Sequence, residues 1–148
     1  MKKFLLISIL FLTLAGAADS GYLLVQTVSG KAVICPNVPV GRFNLNQCNI
    51  VLATPYAKFL GFPIALYGLG AYLVFVILVL YELAGKSTII ILTTLSSLGL
   101  FISAYFVYLQ FFVIEALCFY CLVSASLMTL IFAASVVYNL KYSAPVIS

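Results

Sequence analysis

Charged residues are almost missing from four long stretches of this chain, and that fact leaves few folds open to it. The stretches cover about residues 4–28, 63–83, 88–113 and 116–140, each near the roughly 20 residues that cross about 30 Å of hydrocarbon. In lipid every backbone polar group must pair within its own segment, so each stretch is expected to be a helix. Across the chain 7% of residues are charged and 66% are hydrophobic, whereas soluble domains carry about a quarter charged residues. The expectation is an all-α membrane protein, a four-helix bundle forming a single domain over residues 1–148. "ELAGKS" and the residues around Glu115 are short connections, which makes consecutive helices antiparallel. Only the connection between the first two helices, about residues 29–62, is long.

Composition also removes whole classes of function. The seven Lys and Arg residues are scattered, so no basic patch can neutralise a row of phosphates and nucleic acid is not an expected partner. With no histidine and only three carboxylates, the usual metal ligands and general bases are scarce, and no metal site is expected. Chemistry is left to Cys, Tyr, Ser, Thr and backbone. The start, "MKKFLLISILFLTLAGAADS", has the basic head, apolar middle and small-residue end of a secretory signal. Apolar residues resume at "GYLLV", which favours an uncleaved helix. Either reading puts the long connection outside the cytoplasm of a multi-pass cell-membrane protein: Lys2, Lys3, Lys86 and Lys141 fall on the inner side, and Lys31, Arg42 and Lys58 on the outer.

Four cysteines remain as the first candidates for chemistry, and topology sends them to one face. Cys35 and Cys48 lie in the long connection, while Cys118 and Cys121 sit in "EALCFYCLVSAS" at the outer start of the fourth helix. At 1.5 Å per residue, both helix sulfurs stay near the outer surface. Residues at i and i+3 share one helix face, so Cys118 and Cys121 can form a short-loop disulfide or alternate between dithiol and disulfide. The positive end of the helix dipole lowers a thiol pKa and favours the attacking thiolate. The plainer reading is cysteine as a small apolar residue, and zinc is disfavoured by the wide loop spacing and the lack of histidine. Cys35 and Cys48 enclose twelve residues including "PNVPVG", which suits a structural disulfide worth up to about 3 kcal/mol. Beside a second dithiol, a thiol–disulfide relay is the better account.

The order of these words resembles the vitamin K epoxide reductase family: two separated loop cysteines, then "TPYAKFLGFPIALYGLGAY", then "CFYCLVSAS" opening the last helix. The resemblance covers nearly the whole chain. It implies a membrane thiol–disulfide oxidoreductase that takes two electrons from a thioredoxin-like protein outside the cytoplasm and delivers them to a quinone of the ubiquinone or menaquinone type, supporting disulfide bond formation. By position, Cys35 would meet the partner, Cys48 would exchange with Cys118, and Cys121 would face the quinone. Thr54 matches a Ser/Thr position near the family's active site; its other reading is a cap for a short interfacial helix. The vertebrate enzyme has an asparagine and a tyrosine at the vitamin K head group where this chain has Ile64 and Ala125, so quinone reduction is expected over epoxide reduction. Many bacterial members carry a fused thioredoxin-like domain; this chain ends soon after its fourth helix, so the partner is expected to be a separate protein. The alternatives are vitamin K or epoxide reduction in quinone recycling, and a non-catalytic scaffold with structural disulfides.

Other residues have weaker claims. Aromatics at the depth of the cysteines, Tyr67 and Phe119 among them, either wall a quinone pocket or anchor the interface. Asp19 lies about 24 Å along the first helix from Lys3 at 1.5 Å per residue, near the depth of Cys121. It would relay a proton to a quinone or simply reach water. Glu115 reads as a helix cap. Gly61, Gly68, Gly70, Ser96, Gly99 and Ser124 read as small residues that let helices approach.

Overall fold

A computed structural model describes residues 1–142. In chain order it contains α1 (Lys2–Ser29), a hairpin of β1 (Pro39–Val40) and β2 (Phe43–Asn44), and the short helix α2 (Cys48–Ala53). A 3-10 turn (Pro55–Ala57) leads to a second hairpin, β3 (Lys58–Phe59) and β4 (Phe62–Pro63), and then to α3 (Ile64–Leu83), α4 (Ile89–Phe112) and α5 (Phe119–Tyr142). The fold is mostly helical, and α1, α3, α4 and α5 are long and apolar enough to cross a membrane. Large apolar side chains point away from the bundle, with Phe11 and Phe101 72% and 74% exposed, as lipid-facing positions do. The second hairpin turns on Leu60 and Gly61, both at positive φ (52° and 85°), the left-handed pair that a tight two-residue turn requires. Gly61 thus serves a turn, not helix packing.

One boundary differs from the sequence expectation. The last helix starts at Phe119, not near residue 116, because the backbone just before it is claimed by the connection between α1 and α3. Asn46 and Cys118 form an antiparallel bridge. The Gln47 N–H donates to the Leu117 carbonyl (3.2 Å), and the Leu117 N–H donates to Gln47 Oε1 (3.3 Å). A residue spent on such a bridge cannot also continue a helix. Glu115 is exposed, sits in a left-handed turn at φ 54°, and lies three residues too early to cap α5.

Small residues fix how closely the helices approach. Gly16 of α1 receives the ring of Tyr72 from α3, which a side chain at Gly16 would strike. Tyr72 then reaches α5, where its hydroxyl donates to the Ser124 carbonyl at 2.9 Å. Gly68 faces Ser20, and a Cβ at Gly99 would lie 2.8 Å from Met128 Sδ. Ser96 and Ser135 meet at 3.4 Å between α4 and α5, whereas Gly70 faces open space. At the end remote from the cysteines, the Glu82 carboxylate accepts the backbone N–H groups of Thr88 (2.7 Å) and Ile89 (3.0 Å) and the Tyr138 hydroxyl (3.1 Å). One side chain therefore joins α3, α4 and α5, and it satisfies donors at the start of α4 that would otherwise be orphaned.

Candidate active site

Both cysteine pairs lie in one apolar cluster at one end of the bundle, with Leu23, Val33, Val51 and Ala65. Cys35 and Cys48 are joined in a disulfide, with Cα atoms 6.4 Å apart. Cys118 and Cys121 are free. Two tethers hold the irregular segment that carries Cys35. The Asn49 side chain grips Val33, accepting its N–H at 2.8 Å and donating to its carbonyl at 3.2 Å. The Tyr120 hydroxyl donates to the Ile34 carbonyl at 3.1 Å. Asn49 is one residue beyond Cys48, and Tyr120 lies between the helix cysteines, so each tether links Cys35 to the neighbourhood of another sulfur.

Cys118 occupies the cap position of α5. Its carbonyl accepts the Leu122 N–H at 3.1 Å, and its Sγ accepts the Cys121 N–H at 3.3 Å. A sulfur acceptor at the positive end of a helix is a setting that favours thiolate. The Cys118 thiol is held below its ordinary value chiefly by a hydrogen bond from the Cys121 side chain; burial opposes this, the Cys121 and Tyr120 backbone N–H groups assist it, and the charge of Asp19 opposes it. Cys118 is fully buried, and its own N–H donates to Gln110 Oε1 at 2.9 Å. Hydrogen bonds from Cys121 and the start of α5 thus outweigh the burial that opposes ionisation of this sulfur.

A cavity of about 470 Å³ reaches this end of the bundle, with Cys121 on its wall, a size within the usual range of about 300–1,000 Å³ for small-molecule sites. Thr54 and Tyr67 also line it. Each hydroxyl already donates inward: Thr54 Oγ1 to the Val51 carbonyl at 2.7 Å, and Tyr67 to the Phe59 carbonyl at 3.0 Å. Thr54 makes no capping bond to the turn that follows. Phe119 is absent from the cavity lining and packs edge-on against Tyr120, ring centroids 5.6 Å apart. Ile64 and Ala125 both line the cavity and add only hydrocarbon.

Two residues have a larger place here than the sequence reading assigned. Gln110, nearly fully buried, lines the cavity and fixes the Cys118 backbone. Its signal was available: a lone amide inside an apolar span needs a partner. Asp19 is half-buried, and its Oδ2 is buried without a hydrogen-bond partner.

Compared with known proteins, residues 7–136 match the model of the vitamin K epoxide reductase family. No curated protein matches the chain.

Proposed function

The chain belongs to the vitamin K epoxide reductase family, and from that premise we propose that it is a quinone-dependent thiol–disulfide oxidoreductase of the cell membrane, with its cysteine end outside the cytoplasm. Family membership and the disulfide-forming pair fit a membrane thiol oxidoreductase. The finer route runs from a thioredoxin-fold thiol protein to Cys35, through Cys48 to Cys118, and from the Cys118–Cys121 pair to a ubiquinone- or menaquinone-type acceptor in the cavity. The single observation that carries it is the gathering of the cysteines at one place, Cys35, Cys48 and Cys118 in one buried cluster and Cys121 packed against it, with one pair oxidised and the other reduced.

Exposure supports the order of transfer. Cys35 retains 8% of its surface and adjoins Ile34, which is 80% exposed, whereas Cys48 and Cys118 are fully buried. An external thiol therefore meets Cys35 first. Cys48, two residues from the Asn46–Cys118 bridge, suits the internal exchange, in which a thiolate attacks one sulfur of a disulfide and releases the other. Cys121, on the cavity wall, suits delivery to the acceptor. The hydrocarbon of Ile64 and Ala125 supports a quinone over an epoxide, because neither side chain offers a proton or hydrogen bond to an epoxide oxygen.

The test follows short-chain ubiquinone and, separately, vitamin K epoxide with purified protein and dithiothreitol or a reduced thioredoxin-fold protein as donor. Quinone loss that needs Cys118 and Cys121 with either donor, but Cys35 and Cys48 only with the protein donor, is the expected pattern. Turnover that survives loss of Cys121 would defeat the route.

A further inference from the structure

Asp19 is the one described side chain with a buried oxygen that has no hydrogen-bond partner, Oδ2. Tyr22 and Leu23, one turn further along α1, pack at the start of α5: the Tyr22 ring lies tilted against Tyr120 with centroids 5.1 Å apart, and Leu23 shares a cluster with Cys118. Residues at i, i+3 and i+4 share a helix face, so Asp19 lies on the face of α1 that meets the first turn of α5. From α3, Tyr72 passes over Gly16 and is anchored to Ser124, three residues beyond Cys121. The titratable groups gathered on this face of α1 are thus Tyr72 of α3, which packs on Gly16, Tyr120 and Cys121 of α5, and Cys118 just before it. Each of these groups is itself an acid that ionises to an anion. Two negative charges close together in a low-dielectric pocket repel strongly, so such a pair holds a proton between them.

We propose that Asp19 and Cys118 share a single negative charge, Asp19 storing the proton that Cys118 surrenders when it becomes a thiolate. The idea rests on the electron route above and adds the proton route to it. In the state described, the loop disulfide is closed and the helix pair is free. Cys118 is then the thiolate, Cys121 carries one proton, and Asp19 carries the other on its orphan Oδ2. Closing the Cys118–Cys121 bond sends two electrons to the quinone. The Cys121 and Asp19 protons complete the quinol, and Asp19 is left as a carboxylate. When the loop dithiol reduces the helix disulfide, the S–S bond passes back to Cys35–Cys48. Of the two loop thiol protons, one goes to Cys121 and one reloads Asp19. No atom or charge is left over in the cycle.

The chain has only three acidic side chains, which makes a direct test practicable. Redox-difference infrared spectra are taken on the full chain, with the Cys118–Cys121 pair switched by dithiothreitol and diamide and no quinone present. The expected result is a protonated-carboxyl band in the reduced state that disappears on oxidation and is absent from Asp19→Asn. In parallel, single-turnover reduction of short-chain ubiquinone slows by about 100-fold or more in Asp19→Asn, in keeping with loss of a positioned acid. It recovers as the medium is acidified, and largely recovers in Asp19→Glu. Missing band in the parent protein, or a band that persists in Asp19→Asn, overturns the proposal. So does a slow Asp19→Asn enzyme whose deficit is the same at every pH and is shared by Asp19→Glu, since that is a structural effect. A correct band in a protein that reduces no quinone would leave the shared charge standing and reject the quinone reading alone.

Discussion

Two carboxylates mark the two ends of this bundle, and they are treated in opposite ways. Glu82 accepts two backbone N–H groups and a tyrosine hydroxyl. Asp19 has a buried oxygen with no donor at all. Surrounding structure differs in the same sense. Around Glu82, Thr88 Oγ1 also donates to the Leu78 carbonyl at 2.7 Å, and Lys2 Nζ lies 5.9 Å from the Tyr138 ring centroid. At the end of the bundle that holds Asp19 lie the free thiols, the cavity that Ser20 and Cys121 line, and the Tyr22–Tyr120 pair. One end is fastened by hydrogen bonds and the other leaves a buried carboxyl oxygen unpartnered. A charge is cheap to bury where donors surround it and costly where they do not, so the partnerless end is where protons and electrons have reason to move.

The comparison breaks most visibly at the sulfurs. Replacing Cys121 with Ala should reduce short-chain quinone reduction to background while leaving the thermal melting of the protein in detergent nearly unchanged; a parallel loss of stability would mean that this end is structural too. Glu82→Ala should do the reverse. By leaving the Thr88, Ile89 and Tyr138 donors unpaired it should cost about 3 kcal/mol, read as a lowered denaturation midpoint, with turnover per folded molecule preserved.

A smaller effect sharpens the picture at Gln110. Gln110→Leu orphans the buried Cys118 N–H and should cost about 2 kcal/mol, together with a rise in the pH at which thiolate absorbance appears. If that absorbance keeps its position, Gln110 merely fills space. Stability of the reduced protein should also depend on pH with a definite sign. Because the folded Cys118 thiol lies below its ordinary value of 9.0, the unfolded chain binds more protons between the two values. The contribution of Cys118 therefore rises with pH across that window, is complete above about 9, and is lost as pH falls through the folded value. Urea titrations at stepped pH on the parent and on Cys118→Ala measure it as a difference, and a flat difference would remove the case for a stabilised thiolate. Least of all, Tyr120→Phe removes the bond to the Ile34 carbonyl, worth about 1 kcal/mol. It should loosen the segment around Cys35 and speed reduction of the loop disulfide by dithiothreitol; an unchanged rate would show that the tether does not guard that bond.

Much of the fold was legible because lipid imposes a simple rule. Segments that must satisfy their own hydrogen bonds are helical, and four helices stand out as long and apolar enough to span a bilayer. The early start assigned to the last helix had a physical cause. Hydropathy registers that residues 116–118 are apolar, but not that Asn46 and Gln47, some seventy positions away, take their backbone groups. Tyr67 and Thr54 line a cavity, while Phe119 turns toward Tyr120. A three-residue spacing fixes which helix face a side chain occupies without saying what stands opposite.

The sequence by itself determined the number of apolar spans, their helicity and the presence of two cysteine pairs, because these follow from local composition and the solvation of the backbone. Only the tertiary structure decided that Cys118 is a cap instead of an interior helix residue, that Gln110 holds it, and that Asp19 lacks a partner while Glu82 has three. Hydrogen bonding of a buried polar group depends on what chain folding brings within about 3 Å of it, and no local pattern carries that distance.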